Sequence, residues 1–341
     1  MKRIVLMSVV LLLAMGRGGV FASLLNLAGE QLVQAGGSAI AVDGYSVPSY
    51  VDWNNDGRND LVVSEGPDLS GTGKVRVYLN GGTASNPQYT DYFYAQSGGS
   101  DLTVPASGCL GAFGRVDYWD GDSGKDLLVG RADGTVMLFL NTGSDINPAF
   151  DSGTLLEYGL AGSKVSIDIG SRATSTIIDW DSDGLKDLVI GALDGRIHLY
   201  VNEGTNSEPE FLAEAFVQEN GADLVVPSFR SSPVIMDLDG DGLKDLLTGN
   251  TDGQLLFYSN VGTDASPIFS GYTLIEADGI AIDLAGTPRS RPFVCDWTGD
   301  GNLDVLIGAY GGQIHLYEGV PEPATICLVA LGGLALLRRR R

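Results

Sequence analysis

The stretch IMDLDGDGLKDLL, residues 235–247, decides how the whole chain is interpreted. It holds three aspartates spaced two residues apart, then a glycine, and a fourth aspartate four residues after the third. Its first half matches the D-x-[DN]-x-[DN]-G signature of a calcium-binding loop. An EF-hand would also need a bidentate glutamate at position 12 and a helix on each side. Position 12 here is Thr248 and both flanks read as strands, so the sequence excludes an EF-hand.

Four other segments repeat this acidic pattern. The five copies begin at Asp52, Asp117, Asp179, Asp237 and Asp296. Their spacings are 65, 62, 58 and 59 residues. Behind the second to fifth loops, an Asp-Gly or Gly-Gly pair between β-rich runs signals a hairpin. A turn that begins with asparagine follows the first four loops. Those turns begin at Asn80, Asn141, Asn202 and Asn260. Four-stranded units at this interval predict an all-β fold, a β-propeller of five four-stranded blades.

The ends of the repeat region predict how the propeller closes. The fifth unit stops at QIHLYEGV, residues 313–320, after its third strand. The segment LLNLAGEQLVQAGG, residues 24–37, precedes the first loop and aligns with the fourth strands of other units. We therefore expect the N-terminal strand to complete the last blade, which would leave no open edge strand.

The loop pattern D-x-D-x-D-G-x-x-D-[LV], together with the N-x-G-T turn, resembles the FG-GAP/VCBS-type calcium loops of integrin-like β-propellers over roughly residues 23–319. The resemblance implies up to five calcium ions. Calcium prefers oxygen ligands, which positions 1, 3, 5 and 9 would supply from side chains and position 7 from its carbonyl. The predicted ligands, loop by loop, are Asp52, Asn54, Asp56, Arg58 and Asp60; Asp120, Asp122, Gly124 and Asp126; Asp179, Asp181, Asp183, Leu185 and Asp187; Asp237, Asp239, Asp241, Leu243 and Asp245; and Asp296, Thr298, Asp300, Asn302 and Asp304.

The five loops differ in completeness. Loops three and four keep every aspartate, whereas loops one and five carry Asn54 and Thr298 at position 3. Loop two carries one extra residue between Asp117 and Asp120, and Ser123 takes the place of the glycine. We expect loops three and four to bind calcium most tightly and loop two, whose site is doubtful, least. The alternative is that the aspartates form only Asx turns.

Both chain ends predict export. Residues 1–22 combine a basic start, an apolar run and a small residue at Ala22, as in a secretory signal peptide. Residues 320–341 contain a Pro-Glu-Pro motif, a 12-residue apolar run and four terminal arginines. This order resembles the PEP-CTERM sorting signal of Gram-negative bacteria, which implies an exosortase-type processing enzyme, a transient inner-membrane tail and a place at the cell surface, outer envelope or exopolysaccharide matrix. A plain tail anchor is the alternative. Residues 23–319 would form the propeller.

Charge and the remaining motifs narrow the function. With 43 acidic and 21 basic residues, the net charge of −22 disfavours nucleic acid as a partner. His198 and His315 occupy the same repeat position and read as structural, and pairing of Cys109 with Cys295 stays open. No nucleophile elbow or triad pattern appears. We expect a non-enzymatic, exported binding or adhesion module for an unidentified surface protein or polysaccharide. The alternative is a carbohydrate-active enzyme, hydrolase or lyase, or a lectin using the propeller face.

Overall fold

The computed structural model describes residues 25–67, 71–107, 110–122 and 124–321. The predicted signal peptide, Cys109, Ser123 and nearly all of the predicted sorting signal lie outside these ranges. Across the described residues we find no helix with the length and apolar character that a membrane span requires.

Five antiparallel sheets, one per repeat, form the blades of a β-propeller, which confirms the predicted fold. From the inner to the outer strand, blade 1 contains Ser46–Val51, Asp60–Glu65, Thr72–Tyr78 and Phe93–Tyr94; blade 2 Phe113–Asp117, Asp126–Gly130, Val136–Phe139 and Thr154–Leu155; blade 3 Thr174–Ile178, Asp187–Gly191, Ile197–Tyr200 and Ala215–Phe216; blade 4 Ser232–Met236, Asp245–Gly249, Leu255–Tyr258 and Thr273–Leu274; and blade 5 Arg291–Cys295, Asp304–Gly308, Ile314–Tyr317 and Gln31–Leu32.

The N-terminal strand closes blade 5, as predicted. Gln31 pairs with Leu316 and Leu32 with His315, both in antiparallel register. Further along, the Val33 N–H donates to the Ile314 carbonyl at 3.0 Å. The two ends of the repeat region are thus joined in one sheet, and the inner strand of each blade contacts the inner strands of both neighbours around the axis.

A short hairpin follows each outer strand, which the four-strand prediction missed. The hairpins pair Gln34–Ala35 with Ser38–Ala39, Gln96–Ser97 with Ser100–Asp101, Glu157–Tyr158 with Val165–Ser166, Gln218–Glu219 with Ala222–Asp223 and Glu276–Ala277 with Ile280–Ala281. In blade 1 the strand Thr103–Pro105 also pairs with the third strand. Asn220 and Gly221 both have positive φ, 51° and 79°, as a type I′ turn requires. In the sequence, this Asn-Gly pair indicates the hairpin of blade 3.

The hydrophobic core lies between the blades. We call the boundary between two neighbouring blades a seam. At four of the five seams an aromatic residue at loop position 2 packs on an aromatic residue of the next blade. Those pairs are Trp53 with Phe150, Trp119 with Phe211, Trp180 with Phe269 and Trp297 with Tyr89, with ring centroids 5.7 to 6.3 Å apart. At the fifth seam, Leu238 and Leu27 belong to one buried cluster. The acidic loops therefore sit directly above the packing that joins neighbouring blades.

Candidate metal centres in the acidic loops

The acidic loops lie at one end of the propeller, where each inner strand leads into the second strand. In every blade the last residue of the inner strand pairs with the position-9 aspartate that begins the second strand. The pairs are Val51 with Asp60, Asp117 with Asp126, Ile178 with Asp187, Met236 with Asp245 and Cys295 with Asp304. The five loops therefore share one register.

This register corrects the sequence alignment of the second loop. The predicted extra residue between Asp117 and Asp120 is wrong, because Asp117 ends the inner strand and Tyr118 occupies position 1. The Trp119 N–H donates to Asp126 Oδ2 at 2.9 Å, as the corresponding tryptophan does in loop three. An alignment on tryptophan and the last aspartate, rather than on the first aspartate, would have found this.

Loops three and four each bring three carboxylates together. In loop three, carboxylate oxygens of Asp179, Asp181 and Asp187 lie within 4.8 Å of one another. In loop four, the same holds for the aspartates at positions 1, 3 and 9, which are Asp237, Asp239 and Asp245. Asp181 Oδ1 is buried and has no hydrogen-bond partner. A buried, unpartnered carboxylate oxygen between two others is an arrangement that a divalent cation with oxygen ligands would satisfy.

The aspartates at positions 1 and 5 of these loops accept hydrogen bonds from the backbone of their own loop. Asp179 accepts the N–H groups of Asp183 and Gly184, each at 3.1 Å. At position 5, Asp183 accepts the Leu185 N–H at 2.8 Å, and Asp241 accepts the Leu243 N–H at the same distance. The position-5 aspartates are outside the three-carboxylate groups. The structure thus brings together positions 1, 3 and 9 but not position 5.

In loop one an arginine side chain forms an ion pair with a predicted ligand. The Arg58 Nη2 lies 2.5 Å from Asp56 Oδ2, and Arg58 Nε donates to the other oxygen at 3.2 Å. This contact lowers the pKa of Asp56. Arg58 was predicted as a carbonyl donor, but its side chain also places a positive charge on a predicted ligand. Asp52 still accepts the N–H groups of Asp56 and Gly57, as position 1 does elsewhere.

Loop five keeps the position-1 bonds without the three-carboxylate group. Asp296 accepts the N–H groups of Asp300 and Gly301, both at 3.0 Å. The Asn302 side chain donates to Asp300 Oδ2 at 2.9 Å, and Thr298 at position 3 supplies a hydroxyl in place of a carboxylate. Within the described residues, three-carboxylate groups that could hold a metal occur only in loops three and four.

Loop two has aspartates at positions 3, 5 and 9 but is bounded by lysines. Asp120 accepts the Asp122 N–H, and Asp122 accepts the Gly124 N–H. The Lys125 ammonium lies 2.7 Å from Asp145 and 5.4 Å from the centre of the Tyr118 ring. Here position 1 is an aromatic side chain, and the neighbouring charges are already paired.

The position-9 aspartates are buried in every blade and join the loop to the next turn. Asp187 accepts the N–H groups of Trp180 and Asn202, each at 2.7 Å, and its counterparts make the equivalent bonds. Burial raises the pKa of Asp60, Asp187 and Asp245 to about 6, against the lowering effect of these N–H donors. The residue predicted only as a metal ligand is thus also a structural clamp.

Lysines at loop position 8 connect neighbouring loops, a contact that the sequence interpretation missed. The Lys186 ammonium of loop three lies 2.8 Å from Asp117 Oδ1 at the edge of loop two. The Lys244 ammonium of loop four donates to the Asp179 carbonyl and, at 2.9 Å, to Ser182 Oγ, both in loop three. The sequence shows that a lysine recurs at position 8 of the loops. It does not show that this side chain reaches across the blade boundary to the neighbouring loop.

The asparagines and histidines have structural partners, as expected. Asn202 Oδ1 accepts the N–H groups of Gly204 and Glu210, at 2.9 and 3.0 Å, and so shapes its turn. His198 Nδ1 lies 2.5 Å from Glu214 Oε1, and His315 Nδ1 lies 2.6 Å from Glu30 Oε1. In both pairs the histidine lies on the third strand and the glutamate immediately precedes the outer strand, so each pair ties the start of an outer strand to its blade.

Comparison with known families agrees with this geometry. The FG-GAP-like repeat family matches residues 237–307, which begin at the loop-four aspartate, and the PEP-CTERM protein-sorting motif matches residues 319–341. The chain carries an FG-GAP-like repeat and a PEP-CTERM motif. The sorting motif marks the chain as an exported protein and implies exosortase processing.

Individual proteins add a distant relative and a fold likeness. Integrin alpha-4 of Xenopus laevis is 26% identical over 205 residues, which cover 55% of this chain and 18% of the integrin. The chain therefore spans about a fifth of the length of this relative. The catalytic domain of a GH62 alpha-L-arabinofuranosidase from Coprinopsis cinerea superposes with a TM-score of 0.52 at 13% identity, covering 88% of this chain and 98% of that domain. At that identity the likeness shows the fold alone.

Proposed function

We propose that this protein is a calcium-stabilised propeller that acts, without catalysis, as a binding module at the cell surface or in the extracellular matrix. The observation that carries the metal part is the pair of three-carboxylate groups in loops three and four. Bound calcium would supply two positive charges among carboxylates that otherwise repel one another. Asp179, Asp181 and Asp187 would hold one ion, and Asp237, Asp239 and Asp245 another.

The position of the chain ends supports a tethered role. Asn26 Nδ2 donates to the carbonyls of Val320 and Pro321, at 3.0 and 3.3 Å. Gly319 donates its N–H to Asp304 in loop five at 2.5 Å. The sorting motif therefore leaves the propeller at the acidic-loop end. While the tail holds the protein at a membrane, the opposite end and the rim are the surfaces presented to a partner.

A carbohydrate-active enzyme is not favoured. The likeness to a glycosidase rests on the fold, and one fold hosts many unrelated functions. The two histidines are each paired with a glutamate in a repeat position, and the loop carboxylates either accept backbone N–H groups or lie in the three-carboxylate groups that we propose hold calcium. We therefore assign these residues structural and metal-binding roles rather than catalytic ones.

Two measurements on the exported protein test this proposal. In the first, fluorescently labelled protein is incubated with matrix-producing cells and with matrix-deficient cells of a Gram-negative host, in calcium and in EDTA. We expect calcium-dependent retention on the matrix-producing cells. In the second, the protein is incubated with matrix polysaccharide and reducing ends are counted. Calcium-independent retention would contradict the metal part, and steady release of reducing ends would contradict the non-enzymatic part.

A further inference from the structure

A groove lies on the rim where blade 5 meets blade 1, at the seam closed by the N-terminal strand. It encloses a cavity of about 540 Å³. One wall carries the exposed side chains of Gln31 and Gln34, and the other carries those of Asn86 and Gln88. The buried side chains of Tyr89 and Trp297, whose ring centroids are 6.0 Å apart, lie beneath these amides. The groove is therefore walled by neutral amides next to two aromatic side chains.

The equivalent seam between blades 2 and 3 is different. Its cavity is about 160 Å³ and is lined by apolar side chains together with two charged ones, Glu157 and Lys164. The Lys164 ammonium lies 3.8 Å from Glu210, which bridges that seam. Gln34 of the closure seam occupies the hairpin position held by Glu157. The repeat therefore does not by itself require an amide-walled groove, and the closure seam has acquired one.

The backbone around the groove is already hydrogen-bonded. The strand Gln34–Ala35 pairs with Ser38–Ala39 on one side, and Ala35 bridges Tyr89 on the other. The Gly36 N–H donates to the Tyr89 carbonyl at 2.9 Å. A peptide that binds by adding a strand needs an unpaired backbone edge. A ligand in this groove instead meets the side-chain amides, each with two donors and an acceptor.

Charge selects among ligands that amides can bind. Among the described residues that line the groove, none is lysine or arginine, and one is the acidic Glu318. The chain as a whole carries a net charge of −22. An anionic ligand would be repelled by the whole-protein field and would find no cation in the groove. Exposed side-chain amides with no cation beside them suit a neutral molecule rich in hydroxyl groups.

We propose that this groove binds a neutral saccharide chain. The amides of Gln31, Gln34, Asn86 and Gln88 would hydrogen-bond to sugar hydroxyls. The volume falls in the range of small-molecule sites. This inference rests on the proposed binding function and names its ligand class and its location.

The test measures binding of defined oligosaccharides to the exported protein by calorimetry in calcium. The probes are neutral hexasaccharides of glucose, mannose, galactose and xylose, with hexagalacturonate as the charged comparison. The groove variant is the double substitution Gln34→Ala with Gln88→Ala, and both side chains are exposed. The matched control is Gln218→Ala, which changes the exposed glutamine at the position of Gln34 in the blade 3 hairpin.

We expect at least one neutral hexasaccharide to bind. Its affinity should fall about tenfold or more in the double variant, since two hydrogen bonds are lost, and should stay unchanged in the control. Absence of binding by all four neutral probes, stronger binding of hexagalacturonate, or an equal loss in Gln218→Ala would overturn the inference. The cell-retention assay separates the two proposals. Retention that survives the double variant leaves the binding function intact and places the contact elsewhere, whereas loss of all retention by the unchanged protein removes both.

Discussion

The acidic loops of blades 3 and 2 have the same backbone register but different chemistry. In blade 3, Asp179, Asp181 and Asp187 converge, whereas in blade 2 Tyr118 replaces the first aspartate. Yet Asp126 of blade 2 still accepts two backbone N–H groups, at 2.9 and 2.8 Å, as Asp187 does in blade 3. The blade 2 loop therefore keeps the hydrogen bonds of its position-9 aspartate, although it lacks the position-1 aspartate that the three-carboxylate group requires. We infer that position 9 fixes the loop, and that positions 1 and 3 decide whether it can hold a metal.

The largest effect should come from removing the clamp in either blade. Asp126→Ala and Asp187→Ala each leave two buried N–H groups without an acceptor, at about 1–3 kcal/mol per group. In EDTA we expect each variant to lower the free energy of unfolding by about 3 kcal/mol, measured by urea denaturation. If Asp126→Ala were harmless in EDTA while Asp187→Ala was severe, the clamp would not be common to both loops.

The sequence predicts the features of the fold that follow from its repeat, but not the contacts that form when neighbouring blades pack together. The spacing of the first aspartates predicts five blades, and the truncated fifth unit predicts that the segment 24–37 completes the last one, because both follow from the repeat. The place of Tyr118 could not be read from aspartates alone, since Asp117 imitates position 1 one residue early. The reach of Lys244 into loop three depends on the packing of two blades, which no local pattern encodes.

Calcium dependence should separate the two loops more directly. Asp181→Asn keeps the shape of the side chain but removes a charge from the three-carboxylate group, and Asp120→Asn is the matched change in blade 2. A ligand at one hundred times its Kd stabilises a protein by about 2.7 kcal/mol. We expect Asp181→Asn to remove a stabilisation of about this size, seen as a smaller rise of Tm on calcium titration. An equal loss in Asp120→Asn would mean that loop two also binds the metal.

The dependence of unfolding free energy on pH, measured in EDTA, should reveal the titration of Asp187, the position-9 carboxylate of blade 3. Burial raises the pKa of Asp187 to about 6 from an ordinary value of 3.8, so the folded state binds a proton more readily than the unfolded state. The stability of the calcium-free protein should therefore rise as the pH falls from 7 towards 5, by on the order of 1 kcal/mol from this residue. Asp187→Asn should flatten that part of the profile in urea denaturation. In calcium the trend should weaken, because metal binding requires the ionised carboxylate. A profile unchanged by Asp187→Asn would contradict the assignment.

The smallest effect should come from the lysines that cross the seams. Lys244 brings an ammonium group to the Asp179 carbonyl and Ser182, next to the three-carboxylate group of loop three, whereas Lys186 brings the same group to loop two. A positive charge beside a metal site opposes a second one, and partly exposed charges interact by less than about 1 kcal/mol. We therefore expect Lys244→Met to strengthen calcium binding at loop three by about threefold, and Lys186→Met, its matched control, to leave the calcium isotherm unchanged. The Asp239→Asn background simplifies the measurement by weakening loop four. Weaker binding in Lys244→Met would show instead that the lysine holds the loop in its binding geometry, and that contact across the seam outweighs charge.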